Sequence, residues 1–99
     1  MEELRKNFRL KKIFASENKL KDISVVKEFK FIETLLISDN ELKDLEKVLS
    51  DISKLTFLNQ VDLFNNPIAE EPNYRLRVIA RMRNIKILDR HSKKNLNSI

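Results

Sequence analysis

The chain has 99 residues, 41% hydrophobic and 35% charged, with a formal net charge of +5, one histidine, no cysteine and no glycine. This composition is that of one small folded domain. Without cysteine there is no disulfide or thiol chemistry, one histidine leaves no set of zinc ligands, and the missing glycines remove the phosphate-cradling loops and dinucleotide fingerprints of nucleotide enzymes.

In chain order, residues 1–9 include "MEELRKNF", which has no apolar centre of the kind a signal peptide needs and offers Leu4 and Phe8 as a short N-terminal cover. No apolar run approaches the ~18 residues of a membrane span, so the chain is expected to be intracellular with no membrane partner. From residue 10 one template recurs. Residues 10–20 (LKKIFASENKL), 32–42 (IETLLISDNEL) and 58–68 (LNQVDLFNNPI) each run apolar, two variable, apolar, one variable, apolar, two variable, asparagine, one variable, apolar. A fourth copy, 85–95 (IKILDRHSKKN), begins correctly with Ile85 and Leu88. It then puts Arg90 at an apolar position and Lys93 at the asparagine position, so the array is expected to end there.

The alternation of Ile13 with Ala15, Leu35 with Ile37 and Val61 with Leu63, and more weakly Leu88, predicts short strands with one face inward, paired in parallel from repeat to repeat. Asn18, Asn40 and Asn66 stand where each strand ends. An amide there both donates and accepts, and so satisfies backbone groups that the bend would bury without partners. In repeat 1 (10–31), Leu20, Ile23, Val26 and Phe29 recur every three residues, which predicts a 3₁₀ return on the outer face. Repeat 2 (32–57) is four residues longer, and Leu42, Leu45, Leu49, Ile52 and Leu55 are spaced at threes and fours, so the extra length is expected as one α-helical turn. Repeat 3 (58–84) contains "NNPIAEEPNYRLRVIARMR". Pro67 is expected to end the strand's hydrogen bonding, Ile68 to point inward, and Glu70 or Glu71 to cap a helix over residues 71–84 whose first turn holds Pro72. Tyr74, Val78, Ile79 and Met82 form its apolar stripe. Arg75 projects into that stripe and is expected either to pair with Asp89 or Asp62 or to snorkel to water. A final strand in 85–92 and a basic tail, 93–99, complete the chain.

The repeats resemble the short, about 22-residue class of the leucine-rich repeat family, and the resemblance extends over residues 10–92. "NPI…E…NYR…VI…M…I..LD" resembles the C-terminal cap shared by the spliceosomal A-prime protein, phosphatase-regulating repeat proteins, tubulin-folding cofactors and axonemal leucine-rich-repeat proteins. The resemblance implies one α/β domain over 1–99: a right-handed solenoid with short parallel strands on its concave face, 3₁₀ and α-helices on its convex face, and a C-terminal capping helix. It further implies non-catalytic protein binding, as an adaptor or structural subunit of a larger assembly. The "EEPNYRLRVI" cap looks more like the axonemal members, which would place the chain in the cytoplasm at the cytoskeleton or cilium. The alternative is a nuclear, spliceosome-like subunit that binds a protein next to RNA.

The variable strand positions are expected on the concave face: Lys12, Phe14 and Ser16; Thr34, Leu36 and Ser38; Gln60, Asp62 and Phe64; Ile87, Asp89 and His91. Phe14, Leu36, Phe64 and Ile87 are the apolar ones, and large apolar groups ringed by polar neighbours mark a partner's docking surface. A second candidate surface is basic: Arg77, Arg81 and Arg83 on the cap helix with Arg90, Lys93 and Lys94 beyond it. It suits RNA phosphates or an acidic protein surface such as a microtubule wall. No stretch interleaves aromatic with basic residues as a base-stacking platform would. The N-terminal cover is thin for an open solenoid end, which points to more chain or a partner there. No cofactor, metal site or catalytic constellation is expected. His91 stands alone in a polar tail, and "SDNELKD" lacks the glycine of a calcium loop.

Overall fold

A computed structural model describes residues 9–92; Leu4, Phe8, Lys93 and Lys94 lie outside the described residues. Strands β1 (Lys12–Phe14), β2 (Thr34–Leu36), β3 (Gln60–Asp62) and β4 (Ile87–Leu88) form a parallel sheet in sequence order, and β5 (His91–Ser92) closes it antiparallel to β4. Lys12, Thr34, Gln60 and Ile87 stand in one register row, and Ile13, Leu35, Val61 and Leu88 in the next. The second row faces the core; Leu35, Val61 and Leu88 are fully buried.

The returns pack behind the sheet. Ile23, Val26, Phe29 and Ile32 are buried, and their three-residue spacing matches the 3₁₀ turn Ser24–Glu28, which carries Val26 and is flanked by Ile23 and Phe29. In helix α1 (Leu45–Ile52) the buried Leu45, Val48, Leu49 and Ile52 follow the α period, and Asp44 caps the helix by accepting the Lys47 N–H at 3.1 Å. Buried Asp51 on α1 lies 3.3 Å from Lys47 and 3.4 Å from Lys27, an ion triad that joins the helix to the 3₁₀ turn beside it.

Repeat 3 departs from expectation at its helix. Pro67 opens a second 3₁₀ turn, Pro67–Glu70, with Glu71 at its end, and helix α2 runs only over Tyr74–Arg81. Pro72 lies in the link between them, and Asn73 stands ahead of α2 with φ 58°. One left-handed residue there redirects the chain, so the apolar run after Asn66 becomes two short helical pieces instead of one helix over 71–84. Tyr74, Val78 and Met82 are buried as the stripe requires, and Ile79 is half-buried.

The bend after each strand needs a positive φ, and a chain without glycine supplies it from other residues. Glu17, Asp39 and Asn65, each immediately before a repeat asparagine, have φ of 59°, 58° and 57°. Asparagine and aspartate tolerate this conformation through local side-chain hydrogen bonds, and the Asn65 amide donates to Asp39 at 2.6 Å. Exposed Glu17 has no such compensation in its residue type. Glu17→Gly is therefore expected to stabilise the fold by about 0.5–1 kcal/mol. Urea unfolding of the two proteins measures it, and an unchanged or lower midpoint contradicts the strain argument.

Candidate functional site

The asparagines build the edge behind the concave face. The Asn40 amide donates to the carbonyls of Ala15, Ile37 and Ser38 at 2.9–3.1 Å, and its oxygen accepts the Leu20 N–H at 3.0 Å. Asn66 repeats the pattern one turn later, donating to Ile37 and Leu63 at 3.0 Å and accepting from Leu42 at 3.2 Å. Among the described residues, Asn18 of the first repeat reaches only the carbonyls of Ala15 and Ser16, and it is exposed. Each later asparagine thus ties its own bend to that of the repeat before it.

On this frame the concave face divides into an apolar end and a charged end. Phe14 is 68% exposed, and half-buried Leu36 stands beside it in register. Lys12 is exposed, Thr34 is buried, and Gln60 and Ile87 are half-buried. Ser16 and Ser38 hydrogen-bond to each other at 3.0 Å. At the other end Phe64, 51% exposed, lies under the Arg90 guanidinium, 5.0 Å from the ring centroid. His91 is exposed beyond it.

Four residues expected on this face are buried instead: Thr34 and Ser38, and the structural pair Asp62 and Asp89. Asp62 is 6% exposed; its carboxylate accepts the Phe64 N–H and the Arg90 Nε–H, both at 3.0 Å. Asp89 is also buried, because the chain turns back there. Asp89 and Arg90 have φ of 50° and 73° and form the two-residue turn of a hairpin joining β4 to β5, the left-handed pair that a hairpin of this length favours. The turn removes the carbonyl that would have paired with the Leu63 N–H, since Ile37, one repeat earlier, donates to the Asp62 carbonyl. The Asp89 side chain replaces it, accepting from Leu63 at 2.6 Å and from the Tyr74 hydroxyl at 2.8 Å. Burial raises the Asp89 carboxyl above the ordinary carboxylate range, with the Leu63 N–H and Tyr74 hydroxyl pulling it back in part. Burial and the neighbouring carboxylate push the Tyr74 hydroxyl up, so it stays a donor.

Arg75 is exposed and makes no ion pair among the described residues. Tyr74 takes the Asp89 contact and Arg90 the Asp62 contact, because α2 turns Tyr74 inward and Arg75 out. The basic surface is also altered. Arg77 pairs with Glu46 on α1 at 2.6 Å and Arg81 with the same carboxylate at 3.2 Å, while Glu71 lies 3.8 Å from Arg77. These hydrogen bonds, Arg77's foremost, hold the Glu46 carboxyl below its usual range. Arg83 is exposed on the link to β4. Arg90's double role was signalled by its occupation of an apolar template position; nothing in the linear pattern signals the inward turn of Asp89.

A family model described as leucine-rich repeat matches residues 2–97. Among solved structures, the chain is similar to one from the crystal structure of the Drosophila melanogaster SNF/U2A′ complex, at 21% identity and a TM-score of 0.78, with 91% of this chain and 53% of that one covered. It is similar to the Mex67 leucine-rich-repeat domain of Chaetomium thermophilum at 23% identity and TM-score 0.76, covering 91% and 62%. The Chaetomium Mex67:Mtr2 structure gives 24% and 0.74, covering 91% and 60%. The chain thus spans between about half and three-fifths of the solved chains it matches, and at these identities the likeness is one of fold.

Proposed function

Since the chain belongs to the leucine-rich-repeat family, we propose that it acts as a non-catalytic protein-binding module, an adaptor or structural subunit that seats its partner on the concave sheet. The carrying observation is Phe14. It stands 68% exposed beside half-buried Leu36 and is the most exposed of the apolar residues that the described strands carry. Burying a phenylalanine on binding contributes about 1.5–3 kcal/mol, so leaving it open costs the free chain what a partner recovers. Phe64 under Arg90 offers a second anchor at the opposite end, already oriented by Asp62.

The SNF/U2A′ and Mex67:Mtr2 structures are assemblies of more than one protein, which supports a protein as the partner here. For its place in the cell we favour a ciliary or other cytoskeletal assembly in the cytoplasm, on the resemblance of the cap. A nuclear ribonucleoprotein subunit is the second reading. In that reading the cap helix is a poor RNA platform, because Glu46 occupies both Arg77 and Arg81.

The test is capture of bound proteins from the chain's own cells by the wild type and by a Phe14→Asp/Phe64→Ser variant, with melting curves of both. Proteins bound directly by the wild type and lost by an equally stable variant are the expected result. Capture of the same proteins by both places the binding surface elsewhere and overturns the reading.

A further inference from the structure

The flank where the chain enters its strands carries exposed aromatic residues that the concave-face function does not use. Phe31 and Phe57 each occupy the position just before a repeat begins, and their rings stack at 5.5 Å between centroids with 30° between planes. They are 44% and 52% exposed. Beside Phe57 opens a shallow cavity of about 430 Å³ whose lining includes Asn59, Arg83, Asn84 and Lys86. The backbone joins these positions in rows: the Glu33 N–H donates to Lys11, that of Asn59 to Glu33, and that of Lys86 to Asn59. Asn84 bridges to the Thr56 carbonyl at 3.0 Å and so leaves its oxygen available as an acceptor.

The chemistry of this flank is uneven in sign. Lys11 lies 3.9 Å from Glu33, and Arg83 and Lys86 both line the cavity. The Lys86 ammonium has no ion pair among the described residues. Asn59 makes no side-chain hydrogen bond among them. An aromatic ring with one face open, amides at the cavity wall and cations around it is the set of groups that holds an unpaired base and its phosphates.

From this we infer that the strand-entry flank binds single-stranded nucleic acid, with a base seated against Phe57 and the backbone running along Lys86. Charge complementarity selects the occupant: an apolar partner would bury Lys86 unpaired, whereas a phosphate pairs with it. A purely acidic peptide satisfies the cations but leaves the Phe57 ring and the Asn59 and Asn84 amides unused. The site is separate from the concave face and does not depend on the protein-binding reading.

Fluorescence anisotropy with a labelled ten-nucleotide oligo-U, at low and moderate salt, tests it on the full chain. A labelled ten-residue polyglutamate serves as the competing probe. Phe57→Leu keeps the apolar contact with Phe31 and removes the aromatic face; it is expected to weaken oligo-U binding by about fivefold or more, the loss of one base–aromatic stack. Lys86→Glu is expected to weaken binding and to flatten its salt dependence. Leu76→Ser, exposed on α2 and away from both surfaces, is expected to leave it unchanged. Melting curves confirm that each variant is folded. No binding of oligo-U by the wild type at low salt overturns the proposal, as does binding that ignores both Phe57→Leu and Lys86→Glu. Polyglutamate binding as tightly, with the same variant sensitivities, overturns it in favour of an acidic protein segment.

Discussion

Asn66→Ala is expected to destabilise the fold by about 3 kcal/mol, and the three repeat asparagines to differ in a set order. Loss of the Asn66 side chain leaves two buried backbone groups with no other partner among the described residues, the Leu42 N–H and the Leu63 carbonyl. The Ile37 carbonyl keeps Asn40, and the Phe64 carbonyl keeps the Asp39 N–H. Each orphaned buried group costs roughly 1–3 kcal/mol, against a total stability of about 5–15 kcal/mol for the domain. Asn40→Ala strands only the partly buried Leu20 N–H, since the carbonyls it serves retain Asn18, Asn66 and the Glu17 N–H. About 1–2 kcal/mol is expected there. Asn18→Ala touches only exposed bonds and is expected within about 0.5 kcal/mol of wild type. Urea midpoints of the three variants decide it. Equal losses at all three positions would show that the inter-repeat bonds carry no special weight.

Tyr74→Phe is expected to cost about 2 kcal/mol at neutral pH and distinctly less in acid. The buried Asp89 side chain accepts from the Leu63 N–H and the Tyr74 hydroxyl, an arrangement that suits the carboxylate form, and the variant removes the hydroxyl that donates to it at 2.8 Å. Hydrogen bonds to charged groups are worth roughly 1.5–3 kcal/mol. The sign of the pH effect follows from the raised carboxyl of Asp89. A group that holds its proton more tightly folded than unfolded favours the native state most on the acid side, and that contribution is lost as pH rises through the folded pKa. Removing the Tyr74 donor raises the Asp89 carboxyl further, so the loss on going from acid to neutral pH deepens. Asp22 and Glu46 are shifted the other way, Asp22 to about 2, by the Ser24 N–H and by Arg77 respectively, and their contributions disappear as pH falls. Comparing Tyr74→Phe with wild type at each pH cancels those contributions. A penalty that is the same at pH 4 and pH 7 would remove Asp89 from the account.

Much of the architecture was legible in one dimension because the repeat itself is a physical constraint. Apolar residues at positions one, four and six of the template have a single face to occupy, so Leu35, Ile37, Val61 and Leu63 turn inward wherever the chain alternates. The three-residue period of Ile23, Val26 and Phe29 marked a 3₁₀ turn, and the mixed threes and fours of Leu45, Leu49 and Ile52 an α-helix. The failures sit where the template stops. Pro72 and Glu71 look like a helix start by residue type, yet left-handed Asn73 places the start at Tyr74. Asp62 and Asp89 alternate as concave-face residues should, but the hairpin at 89–90 buries Asp89, and Arg90 folds back over Asp62 and Phe64.

The amino-acid sequence by itself determined the number and register of the repeats, the bends marked by Asn18, Asn40 and Asn66, and the faces of the strands, because periodic burial is a local property of the chain. Only the tertiary structure decided which charges meet and which surfaces form. Glu46 pairs with Arg77 and Arg81 from 31 and 35 residues away, and Asp89 completes a ladder 26 residues earlier. Phe31 and Phe57, separated by a whole repeat, become one aromatic stack because parallel strands bring equivalent positions side by side. Contacts of that kind depend on the rise from one repeat to the next, a distance set by strand pairing and return packing and carried by no single stretch of residues.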